Sequence, residues 1–483
     1  MDTVSSLKNL RLKFPGEDGL LFKDLNLSFK KGEKVLLLGP SGCGKSTLLQ
    51  VLSGIIPRSV EIPIKFDSIQ IPDKWGFIFQ DPETQFCMPY VDEEIAFVLE
   101  NLQVPRHEMP SRIEELLNEV GLHLKDIHTP IQNLSGGMKQ RLAIASVLAL
   151  DPDVIFFDEP TSLIDESGTE QIWETVKKIG EDKTLIIVEH KIEQIIDFVN
   201  RTIVFTPDGE ILADGDSFSI FSHYKEKLKQ YGIWYPGAWS EYKKESSSII
   251  ESKQQTSLYL DNFKGYRNKE LKISLGSTSV HSGEWIMVVG ENGAGKSTLL
   301  LSLMQLIKSS GSYQINNLTI KKINDLYGLA YLVFQNPEYQ FLTNSVYDEM
   351  TYGTEQNPEN IAKAEEILTT FGLTGKEKHH PFQLSIGQKR KLSVASAFIQ
   401  QPKVILLDEP TFGQDLINTF KMLEWLENKR QEGSMIIMVT HDSQILKHFA
   451  TRVWEVKKGE LVNDRKVSNC MWSKEERLYE HIF

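Results

Sequence analysis

The chain has 483 residues, a length that suggests two or more domains with sizeable cores. Its 40% hydrophobic and 25% charged residues are ordinary for a globular protein. The net charge of −13 argues against a nucleic-acid backbone as the main partner, since that needs a broad basic surface.

In chain order, MDTVSSLKNLRLKF carries no apolar core of the signal-peptide kind, and Phe14 follows it in KFPG. The stretch GEKVLLLGPSGCGKSTLL (32–49) then joins a strand-like apolar run to a helical pattern through G-x-x-x-x-G-K-S. Glycines at such spacing let the backbone curl so that its N–H groups face phosphate oxygens, and the helix N-terminus adds partial positive charge. The candidate cradle is Gly39, Pro40, Ser41, Gly42, Cys43, Gly44, Lys45, Ser46 and Thr47. Lys45 is expected to reach the β/γ-phosphates and Ser46 to offer a hydroxyl to Mg²⁺. The bland alternative is a glycine turn that binds nothing.

FIFQDPETQF (77–86) follows, with Gln80 entering a loop after a strand. A helix is expected over 111–120, inside a mainly helical insert. NLSGGMKQR (133–141) precedes VIFFDEPT (154–161), where four apolar residues deliver Asp158 and Glu159 to a strand end. Asp158 is placed to hold Mg²⁺ and Glu159 to polarise an attacking water. TLIIVEH (184–190) ends on His190, which can contact a γ-phosphate.

The whole series then recurs. GEWIMVVGENGAGKSTLL (283–300) supplies Gly290, Glu291, Asn292, Gly293, Ala294, Gly295, Lys296, Ser297 and Thr298. LVFQNPEYQF (332–341) supplies Gln335, a helix is expected over 359–372, QLSIGQKRK (383–391) supplies Ser385 and Gly387, VILLDEPT (404–411) supplies Asp408 and Glu409, and MIIMVTH (435–441) supplies His441. Lys45 to Ser135 is 90 residues and Lys296 to Ser385 is 89, while signature serine to aspartate is 23 in both halves. Chance does not keep such intervals twice. The expected architecture is α/β, two tandem P-loop NTPase domains over 1–220 and 256–483, each with a helical insert, joined by a linker over 221–255. The aromatics of YGIWYPGAW (231–239) are expected to pack on the first domain rather than on a partner, and EYKKESSSIIESKQQTS (241–257) reads as the polar linker proper.

Three cysteines, Cys43, Cys87 and Cys470, show no C-x-x-C spacing, so no zinc, iron–sulfur or disulfide framework is expected, as in a reducing cytoplasm. No run of about eighteen apolar residues exists in the sequence, so any membrane role is expected to be peripheral. Cys43 lies in the first phosphate loop, where a helix N-terminus can lower a thiol pKa. A small residue tolerated at a variable position is the simpler reading, yet alkylation is expected to inhibit the first site and bound ATP to protect it.

This set of phosphate loop, glutamine loop, LSGGQ-like signature, DEPT and histidine resembles the ATP-binding cassette (ABC) family over almost the whole chain, twice. The resemblance implies ATP and Mg²⁺ as cofactors and a head-to-tail pair of cassettes, formed within one chain or between two. Site one would join Lys45, Ser46, Gln80, Asp158, Glu159 and His190 to Ser385 and Gly387. Site two would join Lys296, Ser297, Gln335, Asp408, Glu409 and His441 to Ser135, Gly136 and Gly137. Asp165 and Asp415 would lie in the loop touching the opposing half. The metal ligands would be Ser46, Gln80 and Asp158, and Ser297, Gln335 and Asp408. Adenine would stack on Phe14 in the first half and on Tyr266, or Phe263, in the second.

Two departures stand out. Ile386 replaces the glycine that the first copy has at Gly136, and a β-branched residue resists φ > 0 and close approach. Site two is therefore expected to be the stronger hydrolytic site. Met138 replaces the signature glutamine and carries little weight.

The segments FQDPETQF and FQNPEYQF, followed by VDEEIAF and VYDEMTY, resemble energy-coupling-factor (ECF) transporter ATPases. Gln85 and Gln340 match that group's extra glutamine. Fused pairs are similar to ATPases associated with uptake of the thiamine precursor hydroxymethylpyrimidine. The implied partners are a transmembrane coupling subunit and a substrate-capturing membrane subunit, on the cytoplasmic face of the membrane. The alternatives are a two-cassette translation factor on ribosomes, which would need a long basic linker, and a fused sugar-importer ATPase.

Overall fold

A computed structural model describes residues 2–16, 19–162, 164, 166–242, 256–355, 357–411 and 413–467, without the side chains of 166, 167 and 386. Asp165, linker residues 243–255, the Ile386 side chain, Cys470 and the tail from 468 lie outside the described residues. The chain divides into two compact units: Met1–Ser240 with Gly413–Ile417, and Glu241–Phe412 with Asn418–Phe483.

In the first unit, the short apolar runs build a six-stranded sheet. Its order is Ile211–Gly215, Arg201–Phe205, Lys34–Leu38, Thr184–Val188, Val154–Asp158, Trp75–Ile78. All pairs are parallel except the first. Residues such as Val35, Phe156 and Ile186 are fully buried, as expected for parallel strands covered on both faces. The Lys34–Leu38 strand runs into the phosphate loop, and the Val154–Asp158 strand ends on the acidic pair. Parallel strands deliver their C-terminal ends to one edge, which is where an open α/β sheet places its ligand crevice.

The second unit repeats this order with Glu460–Lys466, Arg452–Lys457, Trp285–Val289, Met435–Val439, Val404–Asp408 and Ala330–Val333. Here the sheet continues into the antiparallel hairpin Ser257–Arg267 and Glu270–Leu275 through one bridge, Ser274 to Glu460. The equivalent strands Thr3–Leu12 and Phe22–Lys30 form a separate sheet in the first unit.

The inserted helices run Met109–Glu119 and Pro358–Thr370. Their apolar residues, Ile113, Leu116 and Leu117 in the first and Ala364, Ile367 and Leu368 in the second, are buried. Residues 217–241 form three short helices. Of the aromatics that follow Gly232, Tyr235 and Trp239 are buried, and Trp234 Nε1 donates to the Gln414 carbonyl at 3.2 Å inside the first unit.

Phe156 lies fully buried at the centre of its strand, against the rings of Trp75 and Phe77. Phe156→Ala is expected to cost about 3–5 kcal/mol, because a cavity replaces a packed ring. Urea unfolding of the first unit measures it.

Candidate functional site

The phosphate loops fold alike. Gly44 and Gly295 sit in the left-handed region at φ 97° and 107°, where a side chain would be strained. The backbone reversal opens the helices Lys45–Ser53 and Lys296–Leu303. Lys45 Nζ turns back to the Gly39 and Pro40 carbonyls at 2.7 and 3.1 Å, and Lys296 Nζ to those of Gly290 and Glu291 at 2.5 and 3.0 Å. Both lysines are buried, at 7% and 6% exposure, so each loop holds a nearly desolvated ammonium. Ser41, Gly42, Glu291, Asn292 and Gly293 form the exposed rim, with Thr47 half-buried and Thr298 buried behind them.

Around the first loop, Ser46 Oγ donates to Asp158 Oδ1 at 2.7 Å. Gln80 Nε2 donates to Glu159 Oε2 at 3.0 Å, and His190 Nε2 meets Glu159 Oε1 at 3.1 Å. Glu159 has φ 46° and Glu409 φ 49°, left-handed conformations costly for a non-glycine residue. Both are held by backbone bonds from their N–H to the carbonyls of Val188 and Val439, at 2.9 and 3.0 Å. The same strained kink at the same motif position, twice, is the pattern expected of a residue aimed for chemistry.

Burial raises the Asp158 pKa to about 6, against the lowering effect of the Ser46 hydrogen bond and Lys45. Burial also pushes on Glu159, but charge attraction and the hydrogen bond from His190 prevail and hold it low. His190 is raised: burial opposes its charge, and Glu159 outweighs that. Each group thus favours the charged form of the other.

Around the second loop, Ser297 hydrogen-bonds Asp408 while burial raises the carboxylate. His441 Nε2 lies 3.6 Å from Glu409 Oε1, beyond hydrogen-bond reach. Gln335 is exposed and lacks a hydrogen-bond partner among the described residues. The structure therefore joins Gln80, Glu159 and His190 in the first unit, and leaves Gln335 apart from its acidic pair in the second.

The signature serines cap their helices. Ser135 Oγ accepts from Met138 N, and Ser385 Oγ from Gln388 N, both at 3.3 Å. Gln388 Oε1 also accepts from Ser385 N at 3.1 Å, completing a capping box that Met138 cannot make. Neither Gly136 nor Gly137 has positive φ. Both Gly136 and Ile386 open ordinary α-helices, and Gly387 follows in the first turn. The expectation that Ile386 disturbs the backbone is corrected: a right-handed helix start tolerates a β-branched residue. Only the argument from close approach is left.

Cys43 fits the simpler reading, a small residue packed into the loop rather than an activated thiol. Its side chain is 1% exposed, and burial raises its pKa despite Lys45 Nζ at 4.0 Å. For the bases, Phe14 is 36% exposed. Tyr266 is partly covered, with Lys308 Nζ 5.6 Å from its ring centre and Oη 3.2 Å from Ser310 Oγ. Phe263 is a core residue, 1% exposed against Tyr313, with no face left to stack on.

Two residues escaped the sequence reading. Glu189, 2% exposed, accepts from Thr161 Oγ1 at 2.6 Å and His190 N at 2.8 Å, and so braces the histidine. The second unit has Thr440 there. Arg390 is buried where the first unit has Gln140. The signals were VEH against VTH and KQR against KRK.

The ABC transporter family pattern matches residues 22–162 and again 275–412. A Bacillus subtilis protein, YkoD, provisionally named an HMP/thiamine import ATP-binding protein, is 35% identical over 94% of this chain and 89% of its own length. Proteins provisionally named ABC transporter ATP-binding proteins are 32% identical in Methanosarcina mazei (98% of this chain, 91% of theirs) and in Treponema denticola (95% and 96%). An archaeal ribosome recycling factor, aABCE1, solved with the stalk protein aP1, superposes with TM-score 0.65 over 98% of this chain and 92% of that one; at 18% identity this is a likeness of fold. The chain belongs to the ABC transporter family, as an ATPase of two cassettes. Among the described residues no helix is long and apolar enough to cross a membrane.

Two outcomes are expected. Under native conditions a thiol reagent labels exposed Cys87 at least about tenfold faster than buried Cys43, read by peptide mass spectrometry. The His190–Glu159 pair is complete below the ordinary histidine pKa. It is lost as pH rises through the raised His190 value, or falls through the lowered Glu159 value. His190→Ala is therefore expected to destabilise by about 1–3 kcal/mol near about pH 6 and by less near about pH 9. Equal losses in urea titrations at both would mean an uncharged pair.

Proposed function

We propose that this chain is the ATP-hydrolysing subunit of an ECF-type importer and energises uptake of a vitamin, vitamin precursor or metal ion through separate membrane proteins. The observation that carries this is the end-to-end similarity to a relative named for HMP/thiamine import, together with the paired glutamine segments. Those segments are braced in both cassettes. Buried Glu94 accepts from the N–H groups of Cys87 and Met88 at 2.9 and 2.8 Å, and Glu349 from those of Leu342 and Thr343 at 2.9 Å. Gln85 and Gln340 donate to the signature helices, at Ala143 O (3.3 Å) and Ser393 O (2.8 Å). A loop fixed in this way can pass movement to a docked membrane partner.

In this reading Lys45 and Lys296 exchange a carbonyl contact for the β/γ-phosphates. The donors Ser46, Asp158 and Gln80, and Ser297, Asp408 and Gln335, are all hard oxygen ligands of the kind Mg²⁺ takes, and would hold it. Bound there, Mg²⁺ would offset phosphate charge. Glu159 or Glu409 accepts a proton as the water oxygen bonds to the γ-phosphorus and the β–γ bridging bond breaks, leaving ADP and phosphate. His190 and His441 face the γ-phosphate. Ser385 and Gly387 complete the first site, and Ser135, Gly136 and Gly137 the second. Nucleotide bridges the cassettes and its hydrolysis releases them.

Glu159→Gln and Glu409→Gln are each expected to slow their own site by about 10²–10⁴-fold. From the glycine-to-isoleucine difference at position 386, Glu409→Gln is expected to remove the larger share of total ATPase. Equal losses would end that asymmetry. For the partner, the tagged chain is expected to purify from detergent-solubilised membranes with integral membrane subunits. Sedimentation with ribosomes instead would favour a translation factor.

A further inference from the structure

The sequences that follow the two signature serines differ by a shifted arginine. The first cassette reads Lys139–Gln140–Arg141 and the second Lys389–Arg390–Lys391. One residue along a helix turns a side chain by about 100°. Arg141 points toward the helical insert, where its Nη1 donates to the Gly121 carbonyl at 3.1 Å. Arg390 points into the cassette core. Its residue is 4% exposed, and Nη1 donates to the carbonyl of Phe334, the residue before Gln335, at 2.9 Å. Its Nε has no partner among the described residues.

In the first cassette the equivalent contact is weak. Gln140 is neutral, and its Nε2 stands 3.5 Å from the Phe79 carbonyl, at the outer limit of a hydrogen bond. Arg390 is thus a buried guanidinium where its counterpart is an amide. Such a charge needs compensation. Burial lowers its pKa to about 10, while Glu409 and then Asp408 favour its charged form. Those two carboxylates come from the end of the Val404–Asp408 strand.

We propose that Arg390 is a positioning residue, peculiar to the second cassette, that couples nucleotide occupancy at the glutamine loop to the helix that begins at Ser385. Its backbone belongs to the signature helix Ile386–Ile399 and its Nη1 holds the carbonyl beside Gln335. When Gln335 turns to bound nucleotide, the Phe334 carbonyl shifts with it and the helix follows through Arg390. The first cassette has no buried cation at this position to make the link. The inference rests on the nucleotide reading above. By linkage, any such coupling acts in both directions.

Amide hydrogen exchange tests it in the full chain carrying Glu159→Gln and Glu409→Gln, with and without Mg²⁺–ATP. In this parent, nucleotide is expected to slow exchange at the phosphate loops (39–47 and 290–298), at 334–343, and over 386–393. Adding Arg390→Gln is expected to keep the phosphate-loop response and shrink that over 386–393 by more than about half. Arg390→Lys keeps the charge without the fork and is expected to fall between. It decides the matter alone if Arg390→Gln fails to fold. An undiminished response over 386–393 in the folded variants overturns the proposal. No phosphate-loop response in the parent would instead remove the nucleotide reading beneath it.

Discussion

Each cassette buries a lysine ammonium against two backbone carbonyls of its own loop, and the rest of the site is arranged around that constraint. Lys45 and Lys296 have traded water for oxygens of their own loops. Carbonyl dipoles compensate a desolvated cation only in part, so the pocket favours an anion beside it. The left-handed glycines before the lysines let the loop turn back over them, and the parallel strand beneath fixes where it forms. The serine after each lysine then meets the aspartate at the end of the strand two places along the sheet, and the strained glutamate follows by one residue.

The same frame carries two different electrostatic settings. The first site adds a buried carboxylate, Glu189, behind its histidine, and draws Gln80 and His190 onto Glu159. The second has Thr440 there, adds the guanidinium of Arg390, and leaves Gln335 exposed. The two copies share their motifs but carry buried groups of different charge beside them, Glu189 in the first and Arg390 in the second. The proposed inequality of turnover draws more on these buried groups than on the backbone of Ile386.

Much of this was legible in the sequence, for physical reasons. Glycine-rich loops, four-residue apolar runs and acidic pairs are local patterns whose geometry is dictated within a few residues. The strands, the phosphate loops and the inserted helices therefore fall where the patterns place them, with 111–120 observed as Met109–Glu119 and 359–372 as Pro358–Thr370. Burial of single polar groups was not legible. Glu189 and Arg390 look like ordinary charged residues until the neighbouring strand and loop enclose them. For Cys43, proximity to a helix N-terminus could be read in sequence, whereas the packing of the thiol could not. The signature glycine misled because a glycine can serve small size as well as unusual φ.

The central proposal is that neither cassette holds a finished reaction centre, and that each would borrow the other's signature serine. In a full chain carrying Glu409→Gln, only the first site turns over. Adding Ser385→Arg there should abolish the remaining ATPase, while adding Ser135→Arg should leave it nearly unchanged. Loss with Ser135→Arg and survival with Ser385→Arg would show that each cassette serves itself, and would contradict the account.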